Sequence, residues 1–155
     1  MDRRDFVRST LGAGAVLLVA PRALRALRAT DAPVAMTVYK SPLCGCCGEW
    51  VKHVQGAGFT VKIVAVEDIT DIDHSSGVPK ELEACHTALV GSYVVVGHVP
   101  ADLIHKMLDE KPRFTGIAVP GMPQGAPGME QGLGKVRYDV LSFDRSGKTG
   151  VYARR

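Results

Sequence analysis

A chain of 155 residues, 46% of them hydrophobic, is long enough for one domain with a real core. Its formal charge of +3 is unevenly spread: residues 1–29 hold six arginines against two aspartates, while the remaining 126 residues carry 13 basic and 14 acidic side chains. Once its N-terminal segment is set aside, the protein has no charge argument for nucleic acid or an anionic membrane surface.

The N-terminal segment reads as an address. MDRRDFVRST places Arg3-Arg4 ahead of Asp5 and Phe6, close to a twin-arginine export signal. Leu11 to Ala20 is weakly apolar and too short to cross a bilayer, which needs ~20 residues. Ala23 to Ala29 supplies small residues before a cut after Ala29. Residues 1–29 are therefore expected to be a twin-arginine-type signal peptide, 30–35 a linker, and 36–155 a mature domain that does not span a membrane. The expected location is periplasmic, an oxidising compartment.

Met36 to Lys40 is a short strand-like run. SPLCGCCGEW (residues 41–50) follows, then apolar positions at Trp50, Val51, Val54 and Ala57 that suit a helix ended by Gly56 and Gly58. Phe59 to Val66 alternates like a strand. Glu67 to Gly77 is a polar loop or short helix, and Pro79 can open a helical turn through Glu83. Thr87 to Val90 and Tyr93 to Gly97, joined by Gly91-Ser92, read as a hairpin. Pro100 to Leu108 is amphipathic, with Leu103, Ile104, Met107 and Leu108 on one side. Thr115 to Gly134 is rich in glycine, proline and methionine, and a loop this long in a small domain is usually functional or disordered. Val136 to Phe143 and Gly150 to Ala153 suggest a last hairpin.

The order β-α-β-α-β-β-α, with a Cys-x-x-Cys between the first strand and first helix, is the thioredoxin-like plan. The expected fold is α/β, with a central mixed sheet flanked by helices, a Gly/Met-rich loop and a C-terminal hairpin. In such a fold the thiols sit at a helix N-terminus, where the dipole lowers thiol pKa. Cys85, just before the third strand, would face them. The turn Gly97-His98-Val99-Pro100 would lie on the same surface.

Three thiols in four positions make poor structural staples, because adjacent Cys46 and Cys47 do not pair without strain. Thiolates are soft ligands that select Cu(I) and Zn(II), and bridging sulfurs can share several Cu(I) ions. Met122 and Met129 could add thioether ligands, and His86 or His98 imidazoles. A structural zinc site usually needs a second cysteine pair, which this chain lacks. Thiol–disulfide exchange at Cys44 and Cys47, with Cys85 as resolving thiol, competes seriously. A plain structural disulfide is the third reading. His53, His74 and His105 read as surface residues and Trp50 as core. Strand alternation could point His86 away from Cys85, in which case it would order the start of the third strand.

SPLCGCCGEW, GVPKELEACHTALVGSYVVVGHVPADLIHKML and GIAVPGMPQGAPGME together resemble the copper-resistance proteins called CopG, a family also catalogued as the domain of unknown function DUF411. The resemblance covers about residues 36–143. It implies a thioredoxin-like fold, a Cu(I)-binding cluster of Cys44, Cys46, Cys47 and Cys85, and periplasmic copper handling with redox chemistry at the copper or the thiols. A copper exporter or another periplasmic copper protein is the implied partner. The family commonly has an acidic residue before Gly-His-Val-Pro, where this chain has Val96.

Overall fold

The computed structural model describes residues 33–131 and 134–155. The expected signal peptide, residues 30–32 of the expected linker, and Gly132 and Leu133 of the long loop lie outside the described residues.

Among the described residues, seven strands form one mixed sheet in the order β2-β1-β3-β4-β5-β6-β7. They are β1 (Val34–Lys40), β2 (Phe59–Ala65), β3 (His86–Val90), β4 (Tyr93–Val96), β5 (Gly116–Ala118), β6 (Asp139–Phe143) and β7 (Thr149–Arg154). Pairing is parallel for β1–β2 and β4–β5 and antiparallel at the other junctions. The α-helices among the described residues are α1 (Gly45–Gly56), α2 (Thr70–Ser76) and α3 (Ala101–Glu110). A 3-10 turn, Lys80–Leu82, precedes β3. The expected α/β class, mixed sheet and C-terminal hairpin are all present.

Strand alternation divides the core in two. One face carries Met36, Val38, Ala88, Val90, Val95 and Ile117, packed against Trp50 and Val54 of α1 and Ile104 and Met107 of α3. The other carries Val94, Val96, Ala118 and Phe143, packed against Val78 and Leu82 beside the 3-10 turn. His86 has the same parity as Ala88, so it falls on the α1 face with the larger core.

Several boundaries differ from expectation; in the C-terminal hairpin β6 begins at Asp139 and not at Val136. β1 begins at Val34, because Val34 and Ala35 find parallel partners in Phe59 and Thr60 that a one-strand reading cannot reveal. Thr115–Gly134 is not wholly loop. Gly116 to Ala118 pairs with β4, and a Cβ on Gly116 would lie 2.1 Å from the Val94 carbonyl oxygen, so glycine is what admits the strand. Three residues are too few to show a period.

The turn after β4 positions the site. Gly97 has φ +69°, and a Cβ there would lie 2.6 Å from the Val119 carbonyl oxygen and 3.1 Å from Cβ of Ala84. Gly97→Ala therefore meets both a left-handed backbone and a backbone clash. It is expected to cost about 2–3 kcal/mol, read as a lower urea midpoint with an unchanged m-value.

Candidate metal centre

The cysteine triplet lies across the start of α1. Cys44 is the N-cap, in extended conformation, with no side-chain cap and no acidic residue in the first turn. The free N–H groups of that turn leave the positive end of the helix dipole facing the sulfurs. Cys44 and Cys47 form a disulfide, while Cys46 and Cys85 are free thiols. All four Sγ atoms lie within 4.8 Å of one another. Cys46 Sγ is 3.5 Å from Cys44 Sγ. Cys47 is fully buried, its Sγ 3.5 Å from the Cys85 carbonyl oxygen. That is a contact and not a hydrogen bond, since a disulfide sulfur carries no proton.

Two histidines complete the centre. Cys85 Sγ is 3.4 Å from His86 Nδ1 and 3.4 Å from His98 Nε2. His98 Nδ1 is 2.7 Å from the Pro127 carbonyl oxygen. A carbonyl only accepts, so Nδ1 carries the proton and Nε2 presents a lone pair toward Cys85. His86 stacks on Trp50 (centroids 4.4 Å apart) and meets His98 edge-on at 5.1 Å. Its Nε2 is buried without a hydrogen-bond partner among the described residues. Burial pushes the His86 pKa down to about 3, helped by His98, and burial also lowers that of His98. Burial pushes the Cys85 thiol up to about 11, with Cys46 adding to the effect.

α1 holds the His98 turn in place. Trp50 Nε1–H donates to the Val99 carbonyl at 2.8 Å. One helical turn on, His53 Nε2 accepts the Ala101 N–H at 3.1 Å. The Gly/Met-rich loop closes over the turn: a Cβ on Gly128 would lie 2.8 Å from the Cys46 carbonyl oxygen and 2.8 Å from the Trp50 nitrogen. A cleft of about 510 Å³ remains between loop and helix, lined by Gly45, Cys46 and Glu49 on one side and Gln124, Gly128, Met129 and Gln131 on the other.

The comparisons with known proteins agree with this architecture. A family model described as "Protein of unknown function, DUF411" matches residues 82–129. Two solved structures of a copper resistance protein copG, Form 2 and Form 1, superpose with a TM-score of 0.75 at 40% identity. Each covers 80% of this chain, and the alignment takes in 99% and 98% of theirs. The chain belongs to the CopG family of copper-resistance proteins. No curated protein sequence matches it.

In this CopG-family chain the DUF411 match runs from Leu82 to Met129, taking in Cys85, His86, His98 and the covering loop but not the cysteine triplet. The fold therefore joins two stretches that the sequence keeps apart. Cys44, Cys46, Cys47 and Cys85 come together, and His86 and His98 join Cys85 as a second set of ligand-type atoms. Met129 shares the cleft with Cys46, whereas Met122 is 55% exposed and does not line it.

Three expectations need correction. His98 is fully buried and not on a surface turn, because Pro127 and Gly128 cover it. His86 does not point away from Cys85: Cys85 precedes β3, so no strand pleat separates the two side chains. His105 is half-buried, stacked on Phe59 at 4.4 Å, and donates from Nε2 to the Ala57 carbonyl at 3.0 Å. His53 and His74 are exposed as expected, and Trp50 is core.

Sequence reasoning missed Asp73 and the Pro127 carbonyl. Asp73 is buried on the other face of the sheet, where Thr87 Oγ1–H donates to its Oδ1 at 2.5 Å, and burial raises its pKa. Neither residue carries a local motif. The three-residue spacing of Trp50 and His53 was a readable sign only that the two share one helix face.

His86 gives the metal-free protein a pH dependence. Its folded pKa lies below the unfolded value, so the neutral, buried ring stabilises the fold above about pH 6.5, and this contribution is lost as pH falls toward the folded pKa. Stability should drop by up to about 1.4 kcal/mol per pH unit per such histidine below that point. The check is urea unfolding at several pH values, alongside an NMR titration in which the His86 ring stays neutral at about pH 5.

Proposed function

We propose that the protein is a periplasmic Cu(I)-binding protein of copper resistance, with a thioredoxin-like arrangement of its thiols and an N-terminal twin-arginine-type export signal. Copper is its cargo or substrate. The observation that carries the reading is the convergence of four cysteine sulfurs within 4.8 Å. Soft, close thiolates suit Cu(I), and sulfurs at such spacing can be shared between ions, which favours a multinuclear cluster.

The donor set fits that cargo. Cys44, Cys46, Cys47 and Cys85 would hold copper, and His98 offers Nε2 as a borderline nitrogen donor because the Pro127 carbonyl occupies its Nδ1 proton. His86, whose Nε2 is an orphaned buried atom, is a further donor beside the same sulfur. Met129 would supply a thioether from the cleft, with Met122 a more distant reserve on the same loop. Among the described residues no helix is long and apolar enough to cross a membrane. A copper exporter or another periplasmic copper protein would take the metal onward.

The Cys44–Cys47 disulfide favours a second reading, a thiol–disulfide oxidoreductase working on these two sulfurs without metal. It also connects the two readings. The disulfide withdraws two of four thiolates, so copper binding requires a two-electron reduction, and reoxidation would release copper.

The test is an anaerobic Cu(I) titration of the mature protein against a competing chelator. The reduced protein should hold more than one copper ion per chain and the oxidised protein fewer. Affinity should fall at low pH because each ligand thiol must lose its proton. Cys46→Ser should lower the copper count while leaving the fold intact. An unchanged count in that variant, or no binding above the competitor, would leave the oxidoreductase reading in its place.

A further inference from the structure

The disulfide and the cleft involve different cysteines. Cys47, one partner of the bond, is fully buried and faces the Cys85 carbonyl. Cys46, a free thiol, is the cysteine that lines the cleft, and its Sγ stands 3.5 Å from Cys44, the other partner. At that separation thiolate attack on a disulfide sulfur needs only a small displacement. The cleft's volume of about 510 Å³ falls in the range of small-molecule sites. Gln124 and Gln131 offer it amide groups, Glu49 a carboxylate whose Oε1 already accepts from Lys52, and Met129 an apolar wall. That lining suits a peptide-like molecule with an ammonium, amides and a thiol.

We propose that Cys46 is a relay, moving the Cys44–Cys47 disulfide out to the cleft, where a low-molecular-weight thiol of amino-acid to tripeptide size reduces it. The sequence has three steps. The Cys46 thiolate attacks Cys44 Sγ, so that the Cys44–Cys46 bond forms, the Cys44–Cys47 bond breaks, and Cys47 leaves as a thiolate that takes up the proton Cys46 gave to solvent. The incoming thiolate then attacks Cys46 Sγ, giving a mixed disulfide and releasing Cys44. A second small thiol attacks the outer sulfur of that mixed disulfide, releasing the small-molecule disulfide and the Cys46 thiolate. Two small thiols are oxidised to one disulfide, and the protein gains two electrons and a full set of four thiols. The relay deepens the copper reading by renewing the ligands that reading needs, and it is tested without metal. A failed copper titration would leave the relay standing, and a failed relay would leave the copper site standing.

The experiment uses the metal-free, oxidised mature protein with glutathione and, separately, with cysteine. Samples are acid-quenched, alkylated and mapped by fragmentation mass spectrometry. The expected adduct is a mixed disulfide on Cys46, with a Cys44–Cys46 disulfide as its precursor. Cys46→Ser keeps the Cys44–Cys47 bond and should be reduced by glutathione at least about tenfold more slowly. A phosphine, which attacks the disulfide directly, should reduce both proteins alike. Gln124→Trp, which fills the cleft and leaves every cysteine in place, should slow glutathione but not the phosphine. An adduct on Cys44 with unchanged rates in both variants would overturn the proposal. So would reduction by a protein dithiol but by neither small thiol.

Discussion

The hydrogen bond from His98 Nδ1 to the Pro127 carbonyl organises the site more than any other single contact. It joins the turn after β4 to a loop some thirty positions later, and it is formed out of water. A buried ring nitrogen without a partner costs about 1–3 kcal/mol, so His98 can be covered by the loop only because the loop also supplies the Pro127 carbonyl. The same bond decides which nitrogen faces Cys85. One contact therefore sets loop position, ring tautomer and the character of the donor beside the sulfurs.

The rest of the framework supports that contact from below. Trp50 anchors the turn by its indole N–H and covers His86 with its ring. Gly97 lets the chain reverse against Val119, and Gly128 lets the loop lie on the backbone of α1. Both glycines act through what a side chain would strike, so the site is held by close backbone approach more than by surface charge. The ion pairs among the described residues, such as Lys52–Glu49 and Lys106–Glu110, are exposed and worth little to the fold.

How much of this was legible in the sequence follows from where the information lay. The strand–helix alternation and the hairpin at Gly91-Ser92 are local, and they read correctly. The cysteine triplet announced itself by density. Cys85 was placed beside it by the order of elements, a fold-level inference that the geometry supports. What failed was burial of particular side chains. His98 looked like a surface residue because its own segment is a turn; the atoms that cover it come from Pro127 and Gly128, which no window around His98 contains. Strand β5 escaped because three residues show no period. Asp73 escaped because a carboxyl in a polar segment looks solvated until Thr87 is found opposite it.

Val96 gains a meaning from the same geometry. The acidic residue that the family commonly has at this position would lie two residues before His98. Val96 is fully buried among Val78, Leu82, Ala118 and Phe143, on the sheet face opposite His86 and the sulfurs. Its cross-strand partner is Thr87, the residue that bonds Asp73. A carboxylate at position 96 would therefore stand on the Asp73 side of the sheet, in apolar surroundings that favour its neutral form. The sheet would separate its side chain from the core that packs on α1. Valine at this position adds apolar packing to the face that carries Asp73. Closeness along the chain misleads here because alternate residues of a strand belong to different cores.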